Sequence, residues 1–338
     1  MNTYRKPKVL LLGNGINRCF EDSAWSDWID SLYRSNWNSD GIEWDASMPM
    51  PLRAVLATKG KVDAALKADM EDPSRNRYGR IGSSEQRELL QSLLSAGFDH
   101  ILTTNYSYEL ELAAWGDEAN LDIKLKKNQR HTPKVNRAES KYNMYTYMHV
   151  SWNGVDNRVW HIHGEARKPH GTIFGQYYYA QILSCMVEYS KYTKNVYCKR
   201  QASCQRINTY SWQDAFLLGD IYVLGFSMDY SEMDLWYLLN RKARENAEHG
   251  KVCFYDPMPT INNQKTRQKY ELLKLFGVEI RDMGSQLAED KDERNAQFPV
   301  FYHRAISHIV QEMKESSADL RECILIPPEE SKPHIAGN

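Results

Sequence analysis

Short blocks of consecutive apolar residues recur along the chain, each closing on a small or polar residue. They lie at Val9–Leu12, Ile101–Thr104, Val159–Ile162, Ile221–Leu224 and Val252–Tyr255, with Val278–Ile280 as a weaker sixth. Runs of this length without alternation predict strands covered on both faces, as in parallel sheets. Between them the apolar spacing changes to three and four. In "SSEQRELLQSLLSAG", Leu89, Leu90, Leu93 and Leu94 fall on one helical face, Ser83 and Gln86 stand in capping-box spacing, and Gly97 marks the stop. The stretch "SEMDLWYLLNRKARENAEHG" repeats the pattern, with Ser231 and Asp234 in capping-box spacing, Leu235, Leu238 and Leu239 inward, and an end near Gly250. Strands alternating with helices predict an α/β chain built on a Rossmann-like, doubly wound parallel sheet.

The interval between the first two strands is too long for a single crossover. Its amphipathic parts, "WSDWIDSLY" and "LRAVLATKGKVDAALKADM", predict a helical module inserted over about residues 20–96. A last helix is expected around Phe301–Lys314. The C-terminal tail, residues 316–338, ends in Pro327–Asn338, whose prolines and charges predict disorder.

Composition narrows the classes. With 338 residues, 42% hydrophobic and 26% charged, the chain is neither disordered nor fibrous. Its 43 basic and 44 acidic side chains leave a net charge of −1, so no global field draws it to nucleic acid or a membrane. Positive charge is instead local. Lys124, Lys126, Lys127, Arg130, Lys134 and Arg137 fall in one basic insertion (about 120–140). Lys191, Lys194, Lys199, Arg200 and Arg206, interleaved with Tyr192 and Tyr197, fall in another (about 190–207). These read either as solvated loops or as a surface for nucleic acid or protein. The six cysteines contain no C-x-x-C pair, which predicts free thiols in a reducing cytoplasm and no zinc site. Val9–Leu12 is too short for a signal-peptide core, and no run approaches the roughly 20 apolar residues of a membrane span. No membrane contact is expected.

The chemistry is expected where strands end. "GNGIN" follows the first strand, and Gly13 and Gly15 either let backbone amides approach a phosphate or turn the chain into a buried helix. Arg18 stands where a dinucleotide fingerprint would carry its third glycine. Thr103, Thr104 and Asn105 close the next strand, and Asn105 either orients a hydroxyl or water or caps a helix beginning at Tyr106. His161 and His163 sit at i and i+2 of a short strand before Gly164. No partner is spaced to make them a metal site, so a single imidazole base is the functional alternative to structural histidines. Gly225 and Ser227 repeat the opening architecture, and Asp256 ends its strand either as a ribose ligand or as part of an Asp-Pro turn.

Four of these motifs in order, "GNGIN" at 13–17, "TTN" at 103–105, "HG" at 163–164 and "GFS" at 225–227, resemble the sirtuin-like (SIR2) domains. The resemblance is to the bacterial branch that cleaves NAD rather than deacylating lysine, and it covers about residues 8–257. It implies a catalytic domain over residues 1–315, with Asn105 positioning the nicotinamide ribose or the attacking water and His163 as the base. Gly13, Gly15, Ile16, Asn17, Thr104, Gly225, Ser227 and Asp256 would contact NAD+. Ser107 departs from relatives that carry Asp there, and the interval Tyr106–Ile162 is long, an insertion expected to cover or border the site.

The implied activity is hydrolysis of NAD+ to ADP-ribose and nicotinamide, with NAD+ as substrate, no cofactor and no zinc. Nicotinamide leaves neutral, so the reaction asks for a base and a positioning amide rather than the paired carboxylates of ordinary glycosidases. The resemblance further implies a triggered effector of anti-phage defence, acting as a homo-oligomer or with a separately encoded partner such as a ring ATPase or a short Argonaute. A catalytically silent NAD or ADP-ribose sensor and an ADP-ribosyltransferase or deacylase are the alternatives.

Overall fold

The computed structural model describes residues 6–20, 25–71, 79–116, 120–132, 141–202, 210–245, 250–257, 264–283, 288 and 291–325. The disordered-tail expectation for Pro327–Asn338 lies outside the described residues. So do Lys134, Arg137 and Arg206 and the side chains of Tyr192, Lys194, Tyr197, Lys199 and Arg200.

Eight strands form one sheet: β1 (Lys8–Leu12), β2 (His100–Thr103), β3 (Gln129–His131), β4 (Thr146–Trp152), β5 (Val155–His161), β6 (Asp220–Leu224), β7 (Val252–Tyr255) and β8 (Val278–Arg281). Their order is β3-β4-β5-β2-β1-β6-β7-β8; the six strands from β5 to β8 pair in parallel, and β4 runs antiparallel to both of its neighbours, β3 and β5. The parallel strands, taken in chain order, follow the 3-2-1-4-5-6 order of a Rossmann-like fold, whose direction reverses between β1 and β6. Opposite the site, the buried Lys8–Asp220 ion pair, 2.7 Å long, ties these two central strands together.

Each apolar run serves two cores. Val9, Leu11, Leu102, Trp160, Val223 and Phe254 face one, while Leu10, Leu12, Ile101, Val159, Leu224 and Tyr255 face the other. This is the physical reason the strands read as unbroken hydrophobic blocks rather than alternating ones.

The helical module divides between these faces. Helices Trp25–Trp37, Met50–Ala57 and Val62–Glu71 pack through Ile29, Leu32, Ala54, Ala57 and Leu66 on the first core. Helix Ser84–Ser95 packs on the second and is the crossover into β2, so the inserted part ends before residue 84. Its N-cap is Ser83, whose hydroxyl accepts from the Gln86 amide, while the Gln86 side chain accepts from Gly82 rather than closing the box on Ser83.

Other expectations change. Among the described residues of the interval 106–162, only Tyr106 borders the site. The interval supplies helices Glu109–Trp115 and Leu121–Asn128 and then extends the sheet edge with β3 and β4. The basic residues of 120–132 therefore lie on a helix and an edge strand, where Lys124 donates to the Trp115 carbonyl and Arg130 to those of Lys127 and Gln129. Up to residue 202 the second basic segment continues helix Gln176–Ala202 instead of forming a loop, and its remainder lies outside the described residues. The last helix spans Lys291–Leu325, so the tail begins later than residue 316. No helix among the described residues is long and apolar enough to cross a membrane.

Candidate functional site

Register brings the strand ends together. Leu12 pairs with Thr103 and Leu224, Thr103 with His161, and Leu224 with Tyr255, so the loops that follow emerge along one sheet edge. A cavity of about 360 Å³ opens there, at the reversal of strand order where ligands of such sheets bind. Asn14, Gly15 and Arg18 line it from β1, Thr104 and Tyr106 from β2, His163 from β5, Gly225 and Ser227 from β6, and Asp256 from β7. Trp25, Ser26, Ile29, Met50 and Pro51 of the inserted helices form the opposite wall.

Of the two readings of Gly13 and Gly15, their backbone hydrogen bonds fit the turn. The Gly13 amide donates to the Leu224 carbonyl at 3.1 Å and the Gly15 amide to the Gly225 carbonyl at 2.8 Å, which binds the β1 loop to the β6 loop. A methyl group on Gly15 would stand 2.7 Å from the Gly225 oxygen and 2.6 Å from the Tyr302 hydroxyl. These two amides are therefore already bonded and do not face a ligand. Gly15→Ala is expected to cost about 1–3 kcal/mol of stability by overpacking; urea unfolding checks it, and a change below about 0.5 kcal/mol would refute the loop-locking role.

The helix after this loop, Gly15–Arg18, is a single turn. Gly15 and Arg18, three residues apart, share the cavity face, while Ile16 and Asn17 turn away from it. Ile16 is fully buried in the second core. Asn17 bonds Asn14 and accepts from Gln86 at 3.2 Å. Neither is among the residues that line the cavity. Asn105 is also displaced from its expected place. It neither caps a helix, since the next one starts at Glu109 behind Tyr108, nor lines the cavity. Its carbonyl accepts from His161 at 2.8 Å, and its Oδ1 is buried without a hydrogen bond.

The two histidines diverge. β5 ends at His161, whose ring bonds the Asn105 carbonyl through Nδ1 and Glu111 through Nε2 at 3.2 Å, away from the cavity. Burial pulls this imidazole down, but the charge of Glu111, its hydrogen bond, nearby Glu165 and the Asn105 carbonyl overcome that and push it up to about 9. It is an imidazolium donating from both nitrogens, a structural pair beneath the site.

His163 lies two residues on, where Gly164 takes φ +101° and packs against the Thr172 backbone. Its Nε2 donates to Asp234 at 2.9 Å, and Glu232 stands 3.8 Å away. The Tyr179 hydroxyl donates to Glu232 at 2.9 Å. Among the described residues, Nδ1 of His163 has no hydrogen bond. Burial lowers the His163 pKa, but the charge and hydrogen bond of Asp234, with Glu232 adding, raise it above the ordinary 6.5. Glu232 is itself raised to about 7, first by burial and then by Asp234 and Asp229, against the lowering effect of His163 and Tyr179.

Asp234 was expected to cap its helix from the spacing to Ser231. Instead the helix Met233–Glu245 begins after Ser231, whose hydroxyl bonds Asp229, and Asp234 turns inward to the histidine. Sequence reasoning missed Asp234 and Glu232 as site residues. The available signal was two acids directly after a loop that ends at the crevice.

His163, Glu232 and Asp234 each bring one ligand atom within 4.8 Å of the others, a geometry able to hold a metal ion, so the fold supplies the carboxylate partners that sequence spacing did not reveal. Such an ion would take His163 Nε2 and Asp234 Oδ2 from each other, while Asp234 Oδ1 is buried without a hydrogen bond among the described residues. At the β7 end, Asp256 accepts from Tyr270 at 2.8 Å and lines the cavity, so the carboxylate is held in place and is not confined to a turn.

No protein-family model matches this chain, and no curated protein matches its sequence.

Proposed function

We propose that the chain is an NAD+ glycohydrolase, cleaving NAD+ with water to ADP-ribose and nicotinamide. The observation that carries this reading is the His163–Asp234 pair, with the unbonded Nδ1 of His163 at the wall of a cavity set where a Rossmann-like sheet reverses its strand order. Asp234, fully buried, holds the proton on Nε2 and leaves Nδ1 as the base.

The C1′–N bond of the nicotinamide ribose breaks first, its electron pair neutralising the pyridinium as nicotinamide leaves. Positive charge passes to C1′, and the Glu232 carboxylate in the same cavity stabilises it. Water adds to C1′ while His163 Nδ1 takes its proton and returns it to solvent. Tyr106, Trp25, Phe174 and Tyr179 supply an apolar aromatic wall for the leaving ring. Because His163 is raised above 6.5 and must be unprotonated to act, nicotinamide release is expected to climb with pH above that value.

The test is chromatographic measurement of nicotinamide and ADP-ribose from NAD+, for the chain alone and with added nucleic acid or cell extract. Product formation that depends on His163 supports the reading, and unchanged turnover in a His163→Gln variant overturns the site. A second reading, a silent nucleotide-binding sensor, is favoured by the displacement of Asn105 from the cavity. It predicts ADP-ribose binding with NAD+ left intact.

A further inference from the structure

Arg18 stands where a dinucleotide fingerprint carries its third glycine. It is the only lysine or arginine lining the cavity among the described residues. It is exposed, and its guanidinium makes no hydrogen bond or ion pair with a described residue. The carboxylates that share the cavity are each engaged elsewhere: Asp229 with Ser231, Glu232 with Tyr179 and His163, Asp256 with Tyr270. The amides of Gly13 and Gly15, the groups that a glycine loop usually offers to phosphate, are bonded to Leu224 and Gly225. Among the described residues, an anion in this cavity therefore has one cationic side chain, Arg18, to meet it.

We infer that Arg18 is the phosphate-binding residue of the site, and that its ligand class is a nucleotide carrying a diphosphate. The planar guanidinium presents parallel N–H donors that match two phosphate oxygens, a fit that a lysine ammonium lacks. The one-turn helix Gly15–Arg18 fixes its position: Gly15 is clamped by the β6 loop, and Arg18 follows three residues later on the same face. The cavity then offers Arg18 to the anionic middle of a dinucleotide, while the remaining acceptor capacity of the Glu232 and Asp256 carboxylates, beyond their bonds to Tyr179 and Tyr270, suits the cationic ring and the ribose hydroxyls.

The inference rests on the nucleotide reading of the cavity but not on cleavage. Calorimetric titration with ADP-ribose, ADP and adenosine tests it in the wild type, Arg18→Gln and Arg18→Lys. The wild type is expected to bind ADP and ADP-ribose more tightly than adenosine, by a margin that shrinks with salt. Arg18→Gln is expected to weaken both diphosphates by about 10- to 100-fold and leave adenosine unchanged, with Arg18→Lys between. Equal ADP affinity in the wild type and Arg18→Gln overturns the assignment, as does a wild type that binds none of the three or prefers adenosine. If Arg18-dependent ADP binding is found and NAD+ stays intact, glycohydrolysis falls and Arg18 stands. If nicotinamide release continues in Arg18→Gln with unchanged KM, Arg18 falls and glycohydrolysis stands.

Discussion

Asp234→Asn is expected to lower nicotinamide release by about 10²- to 10⁴-fold while leaving NAD+ binding nearly intact. The amide keeps the size of the carboxylate but removes the charge that raises the His163 pKa and the acceptor that fixes the proton on Nε2. The remaining pH dependence is expected to move toward lower pH, because His163 then loses its main positive influence. A merely structural Asp234 would change unfolding and leave the pH profile of the surviving activity where it was. The simpler deletion, His163→Ala, is less clean. It strands a carboxylate whose Oδ1 already has no partner, at an expected cost of about 3–5 kcal/mol in stability. His163→Ala combined with Asp234→Ala removes both charges and is expected to recover stability without recovering activity.

The second large effect concerns folding. Glu111→Gln is expected to destabilise the chain by about 3–5 kcal/mol at neutral pH, since it leaves the fully buried His161 ring without its counter-charge. The sign of the pH dependence follows from the raised folded pKa. An unfolded imidazole near 6.5 and a folded one near 9 mean that the stabilisation is complete below about 6.5 and is lost as pH rises through about 9. Urea unfolding of the wild type between pH 6 and 10 is expected to show this loss, and Glu111→Gln a flatter profile. Parallel profiles for the two would show that the pair is not ionised as described.

The parallel core was legible because burial on both faces writes itself as near-continuous apolar runs, clearest at Val9–Leu12, Ile221–Leu224 and Val252–Tyr255; the edge strand β8, interrupted by the exposed Glu279, is correspondingly weaker. The antiparallel edge was not, because β3 is three mostly exposed residues and β4 alternates. Its turn did carry a signal: Asn153-Gly154 between Trp152 and Val155, with both φ angles positive, is the dipeptide of a tight hairpin. The strand ends named from sequence do converge, as Thr104, His163, Gly225, Ser227 and Asp256 line one cavity. What sequence did not reveal is direction and distance. Ile16 and Asn17 belong to the motif by position, but the helical turn points them inward and leaves Arg18 on the cavity side. Asp234 lies 71 residues from His163, and its local spacing to Ser231 suggested a cap. Only the register of β5 and β6 across the sheet brings that carboxylate to the imidazole.

The central claim is that the His163–Asp234 pair makes this cavity a site of NAD+ cleavage. Nicotinamide release from NAD+, followed from pH 5.5 to 9 in the wild type and in Asp234→Asn, tests it most directly. The wild-type rate is expected to rise with pH above the ordinary imidazole range, and the variant to be about 10²- to 10⁴-fold slower with its limb at lower pH. Equal rates with superimposable pH profiles, or NAD+ intact in the wild type at every pH, would contradict it.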